Sequence, residues 1–371
     1  MVGNHRDAWM VGGAGDPNSG SAVLNEVVRS FGEALDNGWK PQRTIVFASW
    51  DAEEYGLIGS TEWVEEYLPW LTEANVAYLN VDVGISSPHF SVAAAPLLHD
   101  VLRKATELVP SPNQTIPGQT VADTWDGRIR TMGSGSDFTA FQDYAGVASL
   151  DMGFKGGAET AYHYHSNYDN FYWMSHFGDP GFKYHRAMSQ VLGILIAELS
   201  NTAVLQFYAA TYADELDKYL DTVEKALEGG HSAAEFSSEE EAVLALRAIN
   251  TGSETKGDPA AFGAHLHRLR SSIASMREAG SKVDADAQWC RERVDEGIPW
   301  WKFWERIRLG ILLKRSNLRY KRLERAFLYE GGLDGRSWYK HVVFAPGLWT
   351  GYSGGKYSPS LQFRVILGGA Y

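Results

Sequence analysis

Three short stretches of the chain set histidine and carboxylates at spacings that suit metal ligation, beginning with Gly3-Asn4-His5-Arg6-Asp7 and Gly15-Asp16-Pro17-Asn18-Ser19-Gly20. Residues i and i+2 of a strand share a face, so Asp7 can hold one imidazole nitrogen of His5 and turn the other toward a metal. Taken alone, a His-x-Asp triplet is more often an ordinary turn or surface pair, and Asp16-Pro17 alone reads as a turn. Asp51-Ala52-Glu53-Glu54 carries more information. Two adjacent acids at the end of an apolar run must be solvated or neutralised by something positive, unless they decorate a helix N-terminus. No Lys or Arg stands close by in sequence. Asp82, after a second apolar run, and His165, within Tyr162-His163-Tyr164-His165-Ser166-Asn167-Tyr168-Asp169, complete the set. His5, Asp16, Glu54, Asp82 and His165 are nitrogen and oxygen donors without sulfur, with Glu53 as a spare carboxylate. Such donors suit two divalent ions, zinc most naturally, sharing one bridging carboxylate. A bridging carboxylate must turn sharply off its backbone, and proline lowers the cost of a cis bond to roughly 0.5–1 kcal/mol, so Asp16-Pro17 is expected to be cis.

These donors need a frame. With 371 residues, 44% of them hydrophobic, the chain has apolar material for one large or two ordinary domains. From Ser19 to about Ser200 it alternates helical and strand-like segments, and beyond Asn201 only helical spacing recurs, which predicts residues 1–200 and 201–371 as domains of different class. Helices are expected over Ser21–Asp36, Ser60–Leu71 and Met188–Leu199. Strands are expected over Thr44–Trp50, buried on both faces of a parallel sheet, Val76–Val81 and Gly146–Phe154, with a loop over Pro110–Gly118. Ligands of open α/β sheets sit outside the carboxyl ends of the strands, which is where Asp51 to Glu54 and Asp82 fall. In the second half, Leu216, Tyr219, Leu220, Val223 and Leu227, and then Phe262, Leu266, Leu269, Ile273 and Met276, form core-facing stripes of a helical bundle. Gly229 to Lys256, rich in Gly, Ser, Glu and Thr, reads as a mobile connection, and Pro299-Trp300-Trp301-Lys302-Phe303-Trp304 concentrates aromatics that need a partner surface.

Composition removes other classes. A net charge of −12 argues against nucleic acid as a partner. The single cysteine, Cys290, excludes an intrachain disulfide framework and a Cys-rich zinc module. No apolar stretch is long enough to cross a membrane, and Met1 to Asp16 carries His, Arg and Asp where a signal peptide is apolar. Asn113-Gln114-Thr115 is a glycosylation sequon of a kind that also occurs by chance.

Long stretches of the chain resemble the glutamate carboxypeptidase II-like zinc peptidases, a family that also holds the catalytically dead transferrin receptors. They are GNHRDAW, DPNSG, WKPQRTIVFASWDAEEYGLIGSTEWVEE, AYLNVDVG, GSGSDF, YHSNYDN and FKYH in the first half, then LERAF and WYKHVVFAP. The resemblance implies a zinc-exopeptidase-like α/β fold, a mixed sheet with flanking helices, followed by an all-α dimerisation-type bundle, and a homodimer. It implies that His5 and Asp82 hold one zinc, Glu54 and His165 the other, and that Asp16 bridges them. Glu53 would be the general base, Tyr164 would donate its hydroxyl to the oxyanion, and Asp7 would stand behind His5. Glu62 and Glu65 would contribute to a structural calcium site whose other ligands lie in a missing segment. Full-length relatives are often membrane-anchored or secretory.

The chain also departs from the family. The anchor or signal, the opening strands and the apical domain that usually precede the position of His5 are not in this sequence, which reads as an incomplete gene model, a processed form or a fragment. Its end, Phe363 to Tyr371, stops before the family's last bundle helix. The substrate pocket implied by the resemblance would include Gly135, Ser136, Asp151 and Tyr352. The arginine pair of the glutamate-preferring members is Asp151 and Gly153 here, an Asn that supports it is Ser136, and the Lys-Tyr pair best matches Gly351-Tyr352, with Lys356-Tyr357 as the alternative. The expected function is therefore a two-zinc exopeptidase of short peptides, an aminopeptidase or dipeptidase rather than a strictly glutamate-specific carboxypeptidase. Asp151 would repel an acidic residue and accept a free α-ammonium group, unless it faces solvent or pairs with Lys155. The alternatives are a non-catalytic transferrin receptor-like binding protein and an inactive fragment of the peptidase.

Overall fold

The computed structural model describes residues 1–157, 161–228 and 259–347. In chain order the elements are β1 (Val2–His5), α1 (Asn18–Asp36), β2 (Phe47–Trp50), α2 (Ile58–Glu66), α3 (Leu68–Ala74), β3 (Tyr78–Asn80), β4 (Phe90–Ala94), α4 (His99–Glu107) and α5 (Val121–Thr124). There follow β5 (Ile129–Arg130), β6 (Ser149–Phe154), α6 (Phe171–Trp173), α7 (Lys183–Asn201), α8 (Ala209–Glu228), α9 (Pro259–Glu296) and α10 (Phe303–Leu323). The strands make one sheet in the order β2-β1-β3-β6-β4-β5. The first four are parallel, β4 runs antiparallel to β6, and β5 runs parallel to β4. The sheet is thus mixed, as the family resemblance implies.

The parallel register decides where the chemistry goes. His5 pairs with Trp50, Gly3 with Asn80 and Asn80 with Asp151, so the carboxyl ends of β2, β1, β3 and β6 lie along one edge. Two glycines permit this packing. A Cβ on Gly3 would stand 2.1 Å from the Tyr78 hydroxyl and 2.7 Å from Trp50 Nε1, the two atoms that hydrogen-bond across the strand at 2.8 Å. A Cβ on Gly20 would stand 2.2 Å from the Asp82 carbonyl, so the first turn of α1 can lie directly on the end of β3. Ser19 Oγ there accepts the amides of Gly84 and Ile85. The buried face of α1 is Val23, Leu24 and Val27, and that of α7 is the expected stripe of Met188, Val191, Leu192, Leu195 and Leu199. Each such side chain gains about 1.5–3 kcal/mol from burial.

Several sequence expectations are corrected. The Thr44–Trp50 run forms a strand only from Phe47, and it is an edge strand with Ser49 exposed, not one buried on both faces. Among the described residues only β1 pairs with it, and Phe47 and Ala48 are half-buried. The helix expected over Ser60–Leu71 is two helices broken at Tyr67, because Pro69 has no N–H with which to continue the ladder. The strand expected from Gly146 begins at Ser149, after Gly146 has turned the chain with φ +62°. Helix α1 starts at Asn18, and β4 and β5 were not foreseen. The Asp16-Pro17 bond is cis.

The chain divides into two units, one of Met1–Thr131, Ser136–Phe141 and Val147–Gln206, the other of Met132–Gly135, Gln142–Gly146 and Phe207–Tyr371. In the second, α8 packs on α9 and α9 on α10. Leu216, Leu220 and Ile273 of the expected stripes are buried, and Leu266, Leu269 and Met276 are half-buried. Arg270 pairs with Asp221 and Glu224, Arg277 with Asp214 and Asp217, and Asp284 accepts the amides of Ala209 and Ala210 and the Tyr320 hydroxyl. Trp300, Trp301 and Trp304 stay 77, 67 and 79% exposed. The connection over Gly229 to Lys256 lies outside the described residues, as do the side chains of Val223, Leu227 and Phe262. Among the described residues no helix is long and apolar enough to cross a membrane.

Candidate metal centre

The five expected ligands and Glu53 converge at the carboxyl edge of the sheet. His5 closes β1, Asp82 follows β3, Glu53 and Glu54 follow β2, and two loops bring in Asp16 and His165. Among the described residues, two groups have donor atoms within reach of a common ion: His5 with Glu53 and Asp82, and Asp16 with Glu54 and His165. His5 Nε2 lies 3.0 Å from Asp82 Oδ1 and 3.3 Å from Asp16 Oδ1. His165 Nε2 lies 3.1 Å from both Asp16 Oδ2 and Glu54 Oε2. The two oxygens of Asp16 therefore face different histidines. Asp16 Oδ1, Glu54 Oε2 and Glu53 Oε1 are buried without a hydrogen-bond partner, so they converge as bare electron-pair donors and fit a cation at each group.

The electrostatics agree. Burial pulls the His5 imidazolium down, but the adjoining Asp16 and Asp82 carboxylates and the charge of Glu53 outweigh it and push its pKa up to about 12. Burial, with Asp82 alongside, pushes Glu53 up to about 10, and burial beside Asp16 pushes Glu54 up to about 7. Burial raises Asp16 as well. For Asp82 burial is outweighed by His5, which holds it below the usual carboxylate range. Four crowded carboxylates call for positive charge, and divalent cations supply it without protons.

The supporting shell differs from expectation in one respect. The second nitrogen of His5, Nδ1, meets the backbone carbonyl of Asp7 at 3.0 Å, and the Asp7 carboxylate stands 3.5 Å away. A proton on Nδ1 donated to that carbonyl leaves Nε2 free to ligate. The Asp7 carboxylate accepts the amides of Glu53 and Glu54 at 3.1 and 3.2 Å, because Asp7 lies beyond the end of β1. The Trp9 amide donates to Glu54 Oε1 at 3.2 Å. Ala52 and His165 hold left-handed backbone, φ +57° and +52°, next to and at the ligands; such strain persists where the surroundings impose it.

The Tyr164 ring stacks on His165, centroids 3.6 Å apart, and is 49% exposed. Asp151 is not a free carboxylate. Lys155 Nζ holds its Oδ2 at 2.5 Å and Asn80 Nδ2 its Oδ1 at 3.0 Å, so of the two readings of Asp151 the structure has the pairing with Lys155, not a vacant acceptor for an α-ammonium group. Ser136 is buried and accepts the same Asn80 amide at 2.9 Å, and Gly135 before it turns the chain with φ +107°. Tyr352 lies outside the described residues. Glu62 and Glu65 are exposed on one face of α2 and join no donor group among the described residues. Sequence reasoning passed over Asp137, buried in GSGSDF, pushed up to about 7 by burial and itself raising Glu53, and Asp169, buried in YHSNYDN. Both sat inside quoted motifs with no donor spacing to single them out.

Residues 1–176 match peptidase family M28, and residues 264–362 match the transferrin receptor-like dimerisation domain. In both parts the chain is similar to the glutamate carboxypeptidase II and transferrin receptor-like family. It is 39% identical over 359 residues to a protein of Arthroderma benhamiae named as a probable glutamate carboxypeptidase, covering 95% of this chain and 44% of that one. A protein of Arabidopsis thaliana with the same description is 35% identical, with 98 and 46% covered. An aminopeptidase of Mus musculus is 37% identical, with 61 and 33% covered. The chain thus spans about half the length of the first two relatives. Among solved structures, a zinc aminopeptidase from Bacillus subtilis is 20% identical with a TM-score of 0.42, covering 54% of this chain and 46% of that one.

Proposed function

We propose that this chain is a zinc exopeptidase that cleaves short peptides. The observation that carries the reading is Asp16, whose two carboxylate oxygens face His5 and His165 separately, at 3.3 and 3.1 Å, as a bridge between two ions requires. On this reading Asp16 is shared, His5 and Asp82 complete one set of ligands, and Glu54 and His165 complete the other. Two divalent ions held there would polarise the scissile carbonyl and make water acidic enough to attack. Glu53, whose Oε1 is buried without a partner, takes the proton from the attacking water and returns it to the leaving amine. Tyr164, carried on the face of His165, donates its hydroxyl to the oxygen that gains charge. Names of relatives that include both carboxypeptidase and aminopeptidase support an exopeptidase; the engaged Asp151 removes the argument for reading a free amine. Glu62 and Glu65 supply a fraction of the roughly six to eight oxygens calcium takes, so a calcium site there needs donors from elsewhere. The helical unit, matched to a dimerisation domain and bearing exposed Trp300, Trp301 and Trp304, supports a homodimer.

Metal analysis of the purified chain, paired with hydrolysis of unblocked and N-acetylated dipeptides, tests the reading. About two zinc ions per chain and release of the terminal residue are expected. A chain that binds no zinc after reconstitution is not this enzyme.

A further inference from the structure

The loop that carries His165 returns, four residues on, to hold the backbone of Asp16. Asp169 is 2% exposed. Its Oδ1 accepts the Gly15 amide at 2.7 Å, its Oδ2 accepts the Asp16 amide at 3.0 Å and the Tyr162 hydroxyl at 3.1 Å, and its carbonyl accepts the Ala14 amide at 3.2 Å. Three successive amides are thus fastened to one side chain and its own backbone. The Asp169 amide donates to the Ser166 carbonyl at 3.1 Å, which closes the turn just after His165. A closed circuit results: from His165 through the turn to Asp169, across two amides to Asp16, and from Asp16 Oδ2 back to His165 Nε2 at 3.1 Å. His165 keeps its left-handed backbone inside this circuit.

We propose that Asp169 is a positioning residue that sets the distance between Asp16 and His165 and thereby the affinity of the ion they share with Glu54. The proposal rests on the reading of Asp16 and His165 as metal ligands. Asp169 does not itself ligate: three donors occupy its two oxygens, and it belongs to neither donor group. Asp7 makes the equivalent clamp on the other loop, one oxygen to the Glu53 amide and one to the Glu54 amide. Fastening a ligand's backbone fixes the ligand before the ion arrives, so the ordering cost is met on folding and not on binding.

The test is Asp169→Asn in the full chain, which keeps the size but turns an NH2 group toward an amide N–H. Removal of a supporting contact of this kind weakens metal binding or activity by ~10- to 100-fold. Dialysed against buffered free zinc, the variant is expected to fall from about two ions toward one per chain, with a lower kcat, an unchanged KM and recovery at excess zinc. A folded variant with wild-type zinc affinity overturns the proposal, whatever its activity. If Asp169→Asn does not fold, Tyr162→Phe asks the same question: severalfold weaker binding of one ion supports it, and wild-type affinity overturns it. His165→Ala separates the two failures. If that variant also keeps both ions, the ligand assignment falls and takes the proposal with it.

Discussion

Glu53 and Glu54 are chemically alike and adjacent, yet their surroundings divide them. Glu54 receives the Trp9 amide and faces His165, whereas Glu53 has a buried, unpartnered oxygen beside His5 and Asp82. A carboxylate that must take up a proton is better left without donors, because hydrogen bonds to it lower its basicity, which suits Glu53 for the base and Glu54 for a ligand. Glu53→Gln should therefore keep its zinc by metal analysis and lose about 10²- to 10⁴-fold in turnover of a dipeptide. Near-normal turnover would remove Glu53 from that role. Asp16→Asn should act differently, lowering zinc content and activity together, because an amide offers one acceptor oxygen where a bridge uses two.

At the scale of elements, β6 and the turn before α7 each hold an acid whose partner decides what it does. Asp151 and Lys155 neutralise each other, so Asp151→Asn should leave unchanged the preference between a neutral dipeptide and its N-acetyl-aspartyl counterpart. Lys155→Met should move it. With the ammonium gone, Asp151 can take a substrate's α-amine; at ~4 Å and an effective dielectric of ~20 such a pair is worth up to ~4 kcal/mol before desolvation. A shift of about tenfold or more toward unblocked peptides is expected, and equal ratios in both variants would place Asp151 away from the substrate. At the N-terminal end of α7, Asp179 accepts the Lys183 and His185 amides at 2.9 Å each and pairs with the His185 ring at 2.7 Å. Burial alone would raise its pKa, but the His185 and Tyr184 hydrogen bonds outweigh burial and hold it below the usual carboxylate range. Its stabilisation is present above the unfolded value of about 4 and is lost as pH falls through the lower folded value. Asp179→Ala should cost about 0.5–2 kcal/mol at neutral pH. In thermal melts the gap from wild type should narrow toward about pH 3, and a constant gap would rule out the ionised cap.

For the whole molecule, the open question of surface is the aromatic cluster of the second unit. Three exposed tryptophans close together in sequence are more apolar area than a free surface usually shows. Light scattering at micromolar concentration should give twice the chain mass, and replacing Trp300, Trp301 and Trp304 together by serine should give the monomer with the zinc content unchanged. A wild-type monomer at that concentration would leave the cluster to another partner.

Donor chemistry is local, so the candidate donors and the spare acid Glu53 were legible in the sequence: His, Asp and Glu at the ends of apolar runs announce themselves by type and spacing. Helical stripes are equally local, and Met188 to Leu199 needed only the period of the helix. Pairing is not local. That β2 is an edge strand depends on which strands hydrogen-bond to it, a fact no apolar run contains. The bonds from Asp169 to Gly15 and Asp16 join residues 154 and 153 positions apart, and Asp151 could face a substrate, solvent or Lys155 until β6 was set beside β3. The sequence by itself determined which atoms could hold a metal. Only the tertiary structure decided which acids converge as bare donors and which are consumed by amides and ammonium groups, because a hydrogen bond forms wherever folding brings two groups within about 3 Å, whatever their distance along the chain.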